Sequence, residues 1–183
     1  MKLILASGSP RRKELLNILD IPFEVIVSDF EETIDQSKPL EEEIKRLSLG
    51  KASTVFSKHE DSVVIGADTI VTIDNKVLGK PKDKDDAYRM LKTLSNNKHT
   101  VITGVSILSK NKKETFAVCS DVYFNSLNDD EIYDYINTKE PMDKAGAYAV
   151  QGIGSKFIKK IDGDYYAVIG LPISEIYTRL KSY

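Results

Sequence analysis

An aspartate stands inside an otherwise apolar run, VVIGADTIV at positions 63–71. An isolated buried carboxylate is very costly, so Asp68 must open onto a cleft, be paired, bind a cation, or hold a turn with help from Gly66. A second chemical stretch lies near the start of the chain, SGSPRR at positions 7–12. Ser9 fits a helix N-cap and Pro10 a first helical position, while Arg11 and Arg12 add forked donors that match phosphate oxygens. Such a helix start is either an anion cradle or a plain cap with a basic first turn, and the G-x-x-x-x-G-K-[ST] spacing of the familiar phosphate loop is absent.

Other residues extend this chemistry. Lys51 falls beside small residues and Lys80 lies in the tight sequence GKP, so both are better placed than most lysines to face a ligand. Glu31 and Glu32 belong to an acidic loop, FEETIDQSKP, which is either a solvated face or a source of a second carboxylate. One Asp with a Glu, completed by phosphate oxygens, is a usual way to hold magnesium. The late stretch EPMDKAGAYAVQGIGSKFI is dense in small residues around Tyr148 and Gln151. It is either a turn with a packed tyrosine or a loop in which the Gln151 amide reads a base edge by donating and accepting.

The elements that must carry these residues follow from hydrophobic period and punctuation. Lys2–Ala6 reads as a buried strand, Pro10–Leu19 as a helix, Phe23–Val27 as a strand and Leu40–Ser57 as a helix with an acidic first turn, interrupted by Gly50. Ser62–Ile73 reads as a strand turning at Asp74-Asn75 into Val77-Leu78, and Asp83–Leu94 as a helix. His99–Leu108 and Thr115–Asn125 read as an antiparallel pair of long strands, and Asp129–Asn137 as a short helix. Lys139–Gly154 reads as a loop, FIKKI and YYAVI as two final strands, and Leu171–Lys181 as a closing helix. His59 and His99 read as structural or surface residues. The order favours a mixed α/β sheet, in one domain over residues 1–183.

Composition removes several classes of function. With 26 Lys+Arg against 28 Asp+Glu the formal net charge is −2, which argues against nonspecific nucleic-acid binding. One cysteine, Cys119, and two histidines exclude a disulfide framework and make a zinc site of Cys and His implausible. No apolar run has the length of a membrane span or a signal-peptide core, so the expectation is a cytoplasmic protein with no membrane partner.

Four stretches, in this order and spacing, resemble the Maf family of nucleoside triphosphate pyrophosphatases: ASGSPRRKELL; GADTIV followed by GKP; AYRMLKTLS followed by HTVITGV; and EPMDKAGAYAVQGIG followed by YAVIGLPI. The resemblance covers essentially the whole chain. It implies an elongated mixed β-sheet with flanking helices and a central cleft between two lobes, similar to inosine triphosphate pyrophosphatases. The implied reaction splits a nucleoside triphosphate between the α and β phosphorus atoms with a divalent cation, Mg²⁺ or Mn²⁺. GADT together with AYAVQG resembles the branch acting on dTTP and UTP. On this resemblance Asp68 is the acceptor of the water proton, and Arg11, Thr69 and Gln151 set nucleotide preference. Ser9, Arg12, Lys51 and Lys80 surround the triphosphate, while Glu32, with Glu31 beside it as the alternative, joins Asp68 near the metal. A homodimer is also implied. The alternatives are a pyrophosphatase for modified purine nucleotides and a nucleotide-binding regulator of septum formation without turnover.

Overall fold

The apolar start folds as its pattern demands. In the computed structural model, which describes residues 2–183, Leu3–Leu5 forms β1 with all three side chains buried. It lies between two parallel neighbours, β2 (Phe23–Val25) and β3 (Val63–Ile73), with Leu3 opposite both Phe23 and Val63. Helix α1 (Pro10–Asn17) and helix α2 (Leu40–Phe56) make the two crossovers. At the far end of β3, Asp74 and Asn75 both take positive φ, 49° and 61°. Two such residues build the tight turn that suits a twisted hairpin, and β4 (Lys76–Leu78) pairs antiparallel with β3.

Helix α3 (Lys84–Leu94) follows, capped by the Asp83 carboxylate, and then the long strands β5 (Lys98–Leu108) and β6 (Lys113–Phe124). Helix α4 (Asp129–Asn137) begins with a capping box in which Asn128 and Glu131 satisfy each other's main-chain N–H. Strand β7 (Ile158–Asp162), helix α5 (Tyr165–Ile169) and helix α6 (Ile173–Leu180) complete the chain. The strand order is β2-β1-β3-β5-β6-β7 with β4 on β3, a seven-stranded sheet of mixed direction with flanking helices, as expected.

Two readings change. YYAVI is helix α5, not a strand, because a five-residue apolar run carries no period of its own. Glycines in left-handed conformations bracket it, Gly163 at φ 133° and Gly170 at φ 131°, and the chain coils once between them. The stretch 139–154 is not a plain loop but contains 3-10 turns at Glu140–Asp143 and Ala145–Ala147, and a third begins at Ile153.

Two compact units emerge. The first comprises the chain up to Thr69, Ile102–Val118 and Tyr166–Tyr183. Its core includes Ile4, Ala6, Ala52, Val55, Val64 and Leu108. Helix α2 presses on β3 at Gly66, where an added Cβ would stand 2.5 Å from the Ser48 carbonyl oxygen and 2.6 Å from the Ala52 nitrogen. Only glycine permits that approach, and it brings this turn of the helix, which carries Lys51, down onto the strand. The second unit comprises Ile70–Val101 and Cys119–Tyr165. Here α3 and α4 meet through stacked Tyr88 and Tyr133 rings, and His99, Phe124 and Tyr148 pack edge to face with centroids 4.9–5.3 Å apart.

Candidate active site

Within the first unit, Asp68 is buried on β3 and its Oδ1 accepts a hydrogen bond from Lys51 Nζ at 2.8 Å. The same ammonium meets Glu32 Oε1 at 2.7 Å. Two carboxylates therefore converge on one cation, and it is Glu32, not Glu31, that makes the contact with Lys51. Their environments differ: the Asp68 side chain is 12% exposed and the Glu32 side chain 58%. Glu32 is held there by its neighbour Phe30, whose ring lies against Gly50 so closely that an added Cβ would come within 2.3 Å of it. The glycine inside helix α2 is thus the seat of the ring that carries the acidic loop to Lys51.

The start of α1 is a true cap. Ser9 Oγ accepts from the Arg12 main-chain N–H at 3.4 Å, and Pro10 occupies the first turn. The two arginines separate sharply. Arg11 is half-exposed, whereas the Arg12 guanidinium is buried and spends three of its five donors inside the protein. Nε donates to the Gly170 carbonyl at 2.9 Å, Nη1 to Ser7 Oγ at 3.2 Å, and Nη2 to Thr69 Oγ1 at 3.0 Å. Burial pushes the Arg12 pKa below its ordinary value, Asp68 and Glu32 oppose that shift, and Arg11 adds to it. Arginine nevertheless keeps its charge in proteins, so Arg12 is a fixed cation in the electrostatic reach of both carboxylates.

Thr69 is half-buried, with its Oγ1 2.9 Å from Thr103 Oγ1, and Thr103 donates in turn to the Ala167 carbonyl at 2.8 Å. Sequence reasoning singled out neither Thr103 nor Ser7. A threonine in a strand is an ordinary strand former, and its role shows only when Thr69, β5 and α5 are seen in contact.

The remaining two candidates, Lys80 and Gln151, lie in the second unit, and both are exposed. Their loops are tied together there, since the Gly146 N–H donates to the Gly79 carbonyl at 3.1 Å. The turn carrying Gln151 is held from below. The Ala149 N–H donates to Tyr135 Oη at 3.1 Å, and Glu140 accepts from the Ile153 and Gly154 N–H groups, each at 2.9 Å. Desolvation works to raise the Glu140 pKa, but the bonds from Tyr135, Gly154 and Ile153 prevail and hold it below the usual carboxylate range. Glu140 and Tyr135 are a second pair that sequence reasoning missed, although Glu140 opens the very motif in which Gln151 was noticed. His99 is buried, with Nε2 2.7 Å from Tyr148 Oη, and burial pushes its pKa down to about 4.

As a donor set, Glu32 and Asp68 suit a hard divalent cation: two carboxylates meet one positive charge, and phosphate oxygens or water can complete an octahedral shell. No histidine or cysteine is part of this cluster, which disfavours a zinc-type site there. Among the described residues no group of three or more His, Cys, Asp or Glu side chains forms a metal cluster by itself.

The model of the family described as Maf-like protein matches residues 2–183. The chain belongs to the Maf family. A protein of Bacillus cytotoxicus named dTTP/UTP pyrophosphatase is 52% identical over 182 residues, covering 100% of this chain and 95% of its own. One from Bacillus velezensis with the same name is 51% identical, covering 100% of this chain and 96% of the relative. Among solved structures, the Staphylococcus aureus Ham1 protein superposes with a TM-score of 0.54 at 13% identity, over 100% of this chain and 99% of that one. That likeness concerns the fold. Among the described residues, no helix of this Maf chain is long and apolar enough to cross a membrane.

Proposed function

We propose that this chain is a nucleoside triphosphate pyrophosphatase that hydrolyses dTTP and UTP to the nucleoside monophosphate and pyrophosphate. The observation that carries the reading is the buried Asp68 paired through Lys51 with Glu32, in a chain about half identical to full-length relatives named for that activity. In the proposed reaction, the oxygen of a water forms a bond to a phosphorus of the α–β bridge. The bond from that phosphorus to the bridging oxygen breaks, and pyrophosphate and the monophosphate separate.

Asp68 takes the proton of the attacking water. A carboxylate has about four acceptor sites, so the Lys51 bond at Oδ1 leaves capacity for that proton. Lys51 keeps Asp68 in place and offers positive charge where the bridging oxygen becomes anionic. Phosphoryl chemistry is mostly positioning and charge stabilisation, which suits a site built of cations on packed elements. Arg11, the Ser9-capped start of α1 and Lys80 are proposed as triphosphate contacts. Arg12 adds a fixed buried charge and fastens Thr69, and Arg11, Thr69 and Gln151 are proposed to set base preference. A divalent cation, Mg²⁺ or Mn²⁺, held by Glu32 and Asp68 would neutralise phosphate charge and make a bound water more acidic.

A panel of dTTP, UTP, CTP, dATP and GTP, assayed for pyrophosphate with Mg²⁺ or Mn²⁺ present, tests this reading. Preferential release from dTTP and UTP is expected. Orthophosphate as the only inorganic product, or equal turnover of all five, would overturn it.

A further inference from the structure

Thr69 has one hydroxyl proton and two acceptor lone pairs, and its surroundings commit most of them. Arg12 can only donate, and its Nη2 lies 3.0 Å from Thr69 Oγ1, so one lone pair is taken. The contact with Thr103 Oγ1 at 2.9 Å could run in either direction by itself. The next link decides it. Thr103 Oγ1 stands 2.8 Å from the Ala167 carbonyl, which can only accept, so Thr103 spends its single proton there. The proton between the two threonines must then be that of Thr69.

The relay therefore runs one way, from the Arg12 guanidinium through Thr69 and Thr103 to the main chain of α5. Thr103 has no exposed surface, so water cannot take over its part. Thr69 is half-buried, and what it keeps for a ligand is a lone pair, not a proton.

We infer that Thr103 is a specificity-determining positioning residue: by taking the Thr69 proton it makes Thr69 an obligate acceptor toward the base. A base that presents an N–H at that point is selected. Uracil and thymine do so through the imide N3–H, whereas cytosine presents a bare lone pair at N3. This rests on the reading that Thr69 faces the base. A polar site that finds no partner on a substrate discriminates far more strongly than an apolar one, because the unpaired group has already lost its water.

The test compares kcat/KM for UTP and CTP, by pyrophosphate release, in wild type, Thr103→Val, Thr103→Ser and Thr69→Val. Valine preserves the shape of threonine but accepts nothing, so Thr69 is free to turn its proton toward the base. The UTP-to-CTP ratio is expected to fall by about tenfold or more in Thr103→Val, the change expected for one hydrogen bond. Serine keeps the relay and is expected to restore the ratio. A purely structural role for Thr103 would depress both nucleotides together and leave the ratio alone, which overturns the inference. If Thr69→Val shifts the ratio and Thr103→Val does not, the relay is wrong while the placement of Thr69 stands. If neither shifts it, the placement itself fails. Should the valine variants not fold, N3-methyl-UTP and wild-type protein suffice. Loss of about tenfold or more in kcat/KM relative to UTP is expected, and equal turnover would show that no N–H is read.

Discussion

Replacing Lys51 with methionine removes the ammonium that Asp68 and Glu32 share while leaving a side chain of similar length. The two contacts are not equivalent. The Glu32 side chain is 58% exposed, so its pairing contributes about 1 kcal/mol or less. Lys51 and Asp68 side chains are 8% and 12% exposed, and removing one partner of such a buried pair costs roughly 3–5 kcal/mol because the other charge is stranded. Arg12, which also acts on Asp68, keeps the expected loss near the lower end, about 3 kcal/mol at pH 7. For a chain of this length that corresponds to a melting point lower by roughly 6–12 °C. Adding Asp68→Asn to Lys51→Met removes the stranded charge and is expected to recover most of the lost stability. Urea unfolding at pH 7 reads wild type and both variants. A Lys51→Met protein as stable as wild type at pH 7, or a double variant weaker than the single, would show that Asp68 does not depend on the Lys51 charge.

Gly50→Ala places a methyl within 2.3 Å of the Phe30 ring and should push the Glu32 loop from Lys51; pyrophosphate release is expected to fall, with partial rescue by adding Phe30→Leu, measured as kcat/KM. His99, held down to about pH 4 by burial, binds its proton in the unfolded chain first, so wild-type stability should decline by about 3 kcal/mol as pH falls from about 6.5 to 4. His99→Gln should flatten that window in denaturation curves while keeping a partner for Tyr148.

Much of the first unit was legible because its chemistry contradicts its surroundings. A carboxylate in VVIGADTIV has to open onto a cleft, be paired, bind a cation or hold a turn, and it is paired, with Lys51; Ser9 and Pro10 spell a cap, and the cap is there. Gly50 read as a weakness in a helix, and its reason is the Phe30 ring, a tertiary contact no local pattern reveals. YYAVI has strand composition but sits between two left-handed glycines, and a run of five cannot display the period that separates helix from strand. Arg11 and Arg12 look alike in sequence, yet one is half-exposed and the other buried against Ser7, Thr69 and Gly170, residues far apart in the chain. Thr103 and Glu140 were invisible for the same reason: each acts by completing hydrogen bonds of a remote segment, and nothing in their own neighbourhood asks a question.

The measurement that bears most directly on the whole account is the product balance of UTP hydrolysis by wild type and Asp68→Asn, with folding of both checked by circular dichroism. One pyrophosphate per UMP is expected from wild type, and no detectable turnover from a folded Asp68→Asn protein. Pyrophosphate release by Asp68→Asn at the wild-type rate, or orthophosphate in its place from wild type, would contradict it.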